Sequence, residues 1–215
     1  ALAPVIVLLI YIYSRDVIEK EPMSMLLKAF FGGFLSAIIT IIVVLIYNKI
    51  FFDCGQSICE ETPQFDNFFL STFHTSFVEA AIPEELSKFL ILYWLVWKSK
   101  YFDENFDGII YATFVSLGFA GLENVFYVLS GFSEGGATGG NTIAILRALT
   151  AVPGHFLFGV AMGYYLSKAK FEPHGQKLNL AKAIAFPMLL HGTYDFICFS
   201  TQAGSISKQY IGLTV

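Results

Sequence analysis

AFFGGFLSAIITIIVVLIY, residues 29–47, runs without a single charge. Wound as a helix at 1.5 Å per residue, it spans roughly the 30 Å hydrocarbon core of a bilayer. Residues 148–167 repeat the pattern, with one histidine, His155, inside. The whole chain agrees with these two runs. Its 215 residues are 55% hydrophobic and only 14% charged, with a mean hydropathy of +0.63. A soluble domain of this size carries about 25% charged residues. The expected fold is therefore all-α, a polytopic transmembrane helical bundle forming one integral membrane domain over residues 1–215. A β-barrel would need alternating segments of about ten residues, and none is visible. With a net charge of −4 and no basic cluster, nucleic acid is not an expected partner.

Six spans are readable, at about 1–13, 25–48, 67–97, 107–131, 142–167 and 180–200. The tail turns apolar again at Tyr210 and reads as the start of a seventh. Ala1 already stands inside an apolar run without an initiating Met, which suggests a trimmed N-terminus. Lys and Arg concentrate in the connections 14–28, 98–106 and 168–182, which six alternating spans place on one side. The excess marks that side as cytoplasmic and puts the N-terminus outside. The Gly-rich SGFSEGGATGG (130–140) then reads as a flexible exterior loop. Cys54 and Cys59 share an exterior connection, where a local disulfide suits the oxidising side.

Ionisable residues inside a span cost about 2.5–3.5 kcal/mol each near the helix centre. They nevertheless accumulate here: Glu84, Glu85 and Lys88 in the third span, Glu123 in the fourth, His155 in the fifth, His191 and Asp195 in the sixth. Counted from the cytoplasmic ends, these acids and imidazoles fall in one layer roughly 16–24 Å deep. Spacing within each span points the same way. Glu84 and Glu85 stand four and three residues before Lys88, so either carboxylate meets the ammonium on one helical face. His191 and Asp195 are an i,i+4 pair, suited to holding a tautomer or offering two metal ligands. Pro83 before Glu84 marks a helix break, and Pro187 opens the helix before His191. One lysine neutralises one carboxylate, which leaves the other in need of a partner, a proton or a metal. Arg147, close to the exterior end, either snorkels or pairs with an acid. Gly118, Gly121, Gly159 and Gly163 read as close-packing positions.

A carboxylate with imidazoles around water is general-base equipment. The same set could hold a divalent metal that acidifies the water. Either route hydrolyses an amide. An ion- or proton-coupled transporter is the alternative reading, because acid and histidine chains also relay protons. Against it, the sequence shows no inverted repeat. A non-catalytic assembly or immunity protein is a third.

The EExxK at Glu84–Lys88, the FxxxE ending at Glu123, the isolated His155 and the HxxxD from His191 to Asp195 follow in this order on four successive spans. Together with the acidic Glu-Pro connection SRDVIEKEP (14–22), they resemble the PrsW intramembrane proteases, distant relatives of CAAX-processing and Abi-type membrane endopeptidases. The resemblance implies a bacterial cell-membrane protease. It would cut a single-pass membrane protein of the anti-sigma-factor type on or near its outer side. The expected catalytic set is Glu84, Glu85, Lys88, Glu123, His155, His191 and Asp195. One of Glu84 and Glu85 is the general base and the other pairs with Lys88. Glu85, Glu123, His155, His191 and Asp195 are the expected ligands if zinc or another divalent metal is bound.

Overall fold

The structure, a computed structural model, describes residues 1–17, 19–51, 65, 67–172 and 174–202. Among the described residues every regular element is helical. Cys54, Cys59 and the apolar tail at Tyr210 lie outside them.

Helix α1 (Ala3–Arg15) leads into α2 (Met23–Phe51), which contains the uncharged run. The third expected span is built from three pieces in line. Short α3 (Phe68–Phe73) starts at Asn67, whose side chain accepts the backbone N–H groups of Phe69 and Leu70. This satisfies donors that a first turn leaves orphaned. A π-helical stretch, His74–Ala81, follows, and α4 (Ile82–Val96) continues from it. At the junction the N–H of Ile82 bonds to the carbonyl of Phe77, five residues back. Pro83, which has no N–H to give, comes next. The break expected at Pro83 is thus a change of pitch rather than an interruption, and Glu84 and Glu85 sit in the first turn of α4.

Helix α5 (Asn105–Leu149) differs most from expectation. The Gly-rich stretch is not an irregular loop. Helical structure continues through it on both sides, and the chain reverses at Gly136, whose φ of 58° and ψ of −152° suit glycine alone. The two limbs close tightly: a Cβ on Gly139 would fall 2.6 Å from the Gly131 carbonyl oxygen. The second limb passes a bend at Thr150 and runs on as α6 (Ala151–Phe171). Helix α7 (Gln176–Gln202) carries Pro187 inside it.

The first limb of α5 is the centre of the bundle, buried almost continuously from Asp107 to Gly121. It packs against α1, α2, α4 and α6. Glycines set how near the neighbours come. A Cβ on Gly118 would fall 2.0 Å from the carbonyl oxygen of Phe30 in α2, and one on Gly163 in α6 would fall 2.3 Å from that of Gly108. Backbones in such contact pack by dispersion without a side chain between them. Gly121 meets nothing closer than 3.6 Å and is an ordinary packing position.

Among the described residues two helical stretches are long and apolar enough to cross a membrane, Met23–Phe51 and the folded-back Asn105–Phe171. The other expected spans fall short for local reasons. Helix α1 has 13 residues, the α3–α4 line is divided into short pieces, and α7 carries His191, Asp195 and Pro187.

The Glu-Pro connection folds inward. Tyr111 of α5 donates its hydroxyl hydrogen bond to Glu21, and the Glu21 N–H donates to Asp16 Oδ2 at 2.9 Å. Asp16, Glu21, Asp107 and Tyr111 are all buried. Burial, reinforced by the neighbouring Asp107 and Asp16 carboxylates, pushes the Glu21 carboxyl up to about 8 against the Tyr111 hydrogen bond. The folded protein then keeps a proton that the unfolded chain releases near 4.5, so stability falls as pH rises between the two values. The thermal unfolding midpoint in detergent is expected to drop across that window, and Glu21→Gln to flatten the drop. An unchanged slope in the variant would show that Glu21 is not its source.

Candidate active site

One fully buried ammonium organises the polar layer. Lys88 Nζ lies 2.8 Å from Glu85 Oε1, 3.2 Å from Glu84 Oε2 and 3.2 Å from His155 Nδ1. It also sits 3.8 Å above the Phe119 ring, a cation–π contact. An ammonium has three hydrogens to donate and no lone pair. All three are therefore used, and His155 Nδ1 must be an acceptor. Lys88 bridges both glutamates instead of neutralising one.

The arrangement continues in both directions. His155 Nε2 donates to Glu123 Oε2 at 2.8 Å, joining α6 to α5. The same oxygen accepts from Arg147 Nη2 at 2.7 Å, and Arg147 Nε donates to Asn124 Oδ1 at 2.9 Å. On the other side, His191 Nδ1 lies 2.9 Å from Glu85 Oε1, and its Nε2 lies 3.2 Å from Asp195 Oδ2. Each ring nitrogen of His191 faces a carboxylate oxygen, an arrangement that a doubly protonated imidazole satisfies with two N–H donors. The seven residues singled out in the sequence are thus joined into one chain of contacts across α4, α5, α6 and α7.

Apolar neighbours hold the rings. Phe158 stacks on His191 with centroids 4.9 Å apart, and the two imidazoles meet edge to face at 5.1 Å. Gly192 leaves room for Phe77 of the π-helical stretch, whose ring would lie 2.4 Å from a Cβ there. The π-helical stretch thereby packs beside the HxxxD turn.

The two glutamates are not equivalent. The Glu85 side chain is fully buried, and its Oε1 is taken by both Lys88 and His191, while Oε2 has no hydrogen-bond partner. The Glu84 side chain is 12% exposed, holds the longer of the two Lys88 contacts and lies 3.9 Å from His191 Nδ1. Asp195, Glu123 and Arg147 are the other members with an open edge. Arg147 and Asn124 join the site beyond the seven sequence candidates. The available signal was the Gly-rich turn itself: folding the chain back near Gly136 brings 147 level with 124.

Glu84, Glu85, His155 and His191 each offer a ligand atom within 4.8 Å of the others, a group able to hold a metal ion. Two nitrogens and two carboxylate oxygens suit zinc by type. Glu123 and Asp195, also expected as ligands, instead hold the far nitrogens of the two imidazoles. The ammonium, however, is bonded to three of these four residues. With Lys88 seated there, the residues as arranged do not fit a divalent ion, which would have to displace it.

A family model described as PrsW family intramembrane metalloprotease matches residues 21–215. Protease PrsW of Bacillus subtilis is 38% identical over 91% of this chain and 79% of its own length. Protease PrsW of Clostridioides difficile is 36% identical over 92% of this chain and 76% of its own length, and that of Oceanobacillus iheyensis 35% identical over 91% and 80%. No solved structure matches.

Proposed function

The chain belongs to the PrsW family and is a membrane protease, and we propose that it cuts a peptide bond within the bilayer by a glutamate-activated water. The observation that carries this reading is the difference between Glu84 and Glu85. Glu85 is committed to Lys88 and His191, whereas Glu84 borders the open edge of the layer. Glu84 is the general base. It takes a proton from water as the oxygen attacks the scissile carbonyl, then returns that proton to the leaving amine as the C–N bond breaks. The products are a carboxyl and an amine, and Glu84 is restored.

The remaining residues prepare this step. Lys88 keeps Glu84 oriented, and Glu85 holds Lys88 and His191 in place. His191, backed by Asp195, presents positive charge 3.9 Å from Glu84 Oε2, where it opposes the negative charge that develops on the substrate. Glu123 fixes His155, which receives the third Lys88 hydrogen. Lys88 thus supplies the fixed positive charge that a zinc ion would supply among the same donors.

The substrate we assign is a single-pass membrane protein, with an anti-sigma factor as the class suggested by the family resemblance. Its helix must unwind at the cut, because helical carbonyls are tied in hydrogen bonds. Six spans, with the basic connections cytoplasmic and the Gly136 turn outside, best suit the apolar segments and the charge asymmetry. Such a topology puts the layer at or just beyond mid-membrane on the outer half.

In detergent with a single-pass substrate, Glu84→Gln is expected to lower cleavage by at least about a hundredfold. Exhaustive chelation of the wild type is expected to leave cleavage intact. Full activity in Glu84→Gln would remove Glu84 as the base. Loss on chelation with recovery on added zinc would show that the working enzyme seats a metal in place of the ammonium.

A further inference from the structure

We infer that Arg147 is a positioning residue of the active site, acting through Glu123 to fix the tautomer of His155 and hence the aim of Lys88. The inference rests on the protease reading for its effect on rate, but its geometry stands separately. Arg147 belongs to the second limb of α5, which runs back alongside the first limb after the reversal at Gly136. Its guanidinium reaches two adjacent residues of the first limb, Glu123 through Nη2 at 2.7 Å and Asn124 through Nε at 2.9 Å. It lies 4.0 Å over the Tyr127 ring, one turn further along the same limb. Asn124 is itself oriented, since its Nδ2 donates to the Ala1 carbonyl at 2.6 Å and leaves Oδ1 for the arginine. Three fixed contacts thus define the guanidinium plane, a pattern that a fork of donors satisfies and a point charge cannot.

The consequence passes along the chain of contacts. Glu123 Oε2 accepts from both Arg147 and His155 Nε2. A carboxylate oxygen held by the arginine offers His155 only an acceptor, so the imidazole carries its hydrogen on Nε2. Nδ1 then keeps its lone pair toward Lys88, 3.2 Å away. The opposite tautomer would set an N–H against an ammonium with nothing to accept it. Without Arg147, Glu123 is free to turn away, and the ring, no longer held at Nε2, is free to swing off Lys88 and exchange tautomers. Lys88 would lose one of its three acceptors, and its hold on Glu84 would loosen.

Two readouts test this. The first is the nuclear magnetic resonance signature of isotope-labelled histidine in micelles, with His155 assigned by a His155→Gln reference. The wild type is expected to show the Nε2–H tautomer at His155, and Arg147→Gln to lose it. The second is steady-state cleavage of a single-pass substrate. Arg147→Gln is expected to lower kcat roughly ten- to a hundredfold with KM unchanged, as for a misplaced catalytic group. Arg147→Lys, which can reach Glu123 but not span Asn124 as well, is expected to fall between, with partial recovery of the tautomer signal. Should the Gln variant fail to fold, the Lys variant carries both readouts. Unchanged tautomer and unchanged kcat in a folded variant would overturn the inference. So would loss of rate through KM alone, because Arg147 would then be holding substrate. Failure of the wild type to cleave any single-pass substrate would count against the protease reading, while the tautomer signal would still decide the positioning role.

Discussion

A fully buried lysine ammonium has to be surrounded by acceptors, and this bundle is arranged to supply them to Lys88. An isolated charge in a low-dielectric interior costs several kcal/mol even after relaxation, so it persists only where partners with good geometry repay the loss of solvent. Lys88 has three oxygen and nitrogen acceptors and the face of Phe119. Two of the acceptors come from its own helix and one from α6. The ammonium therefore serves as a distance constraint between helices as well as a charge. The imidazoles, Glu123, Arg147 and Asp195 extend that constraint to α5 and α7.

Glycine contacts and polar contacts depend on each other here. The hydrogen bonds that join the four helices are about 2.7–3.2 Å long, so helix axes must be set to fractions of an ångström. Backbone approach at Gly118 and Gly163 brings α2 and α6 onto the central limb of α5 to that accuracy. Near the other edge, Gly192 lets Phe77 close against α7 beside His191. The π-helical stretch delivers Phe77 there while absorbing Pro83, so an irregularity in the backbone ladder coincides with the placement of the site. Such π segments are often found at functional positions.

Much of this was legible in the residues. Helical spacing alone placed Glu84, Glu85 and Lys88 on one face and paired His191 with Asp195, because local geometry decides those contacts. The depth count brought Glu123 and His155 into the same layer, because membrane thickness fixes where a residue lies along a span. What the count could not supply was rotation about each helix axis. It did not reveal that Lys88 reaches His155, or that Glu85 rather than Glu84 takes His191. For Arg147 the residues allow snorkelling or an acid partner, and the Gly-rich stretch, a loop by composition, hides that the acid is Glu123. A helical limb returning from Gly136 brings residue 147 inward. Pro83 signalled a break by its missing N–H, and the wider π turn before it removed the need for one.

The central claim is that Lys88 and the two glutamates form one buried charge group, so the residues should be energetically coupled. A double-mutant cycle on thermodynamic stability in detergent measures this directly. Lys88→Met alone leaves two carboxylates with only His191 to balance them, and breaking a buried pair in this way costs about 3–5 kcal/mol. Adding Glu85→Gln to that variant removes one of the stranded charges. The account predicts that the double variant is more stable than Lys88→Met. Simple addition of the two single losses would contradict it, because Lys88 and Glu85 would then be acting independently.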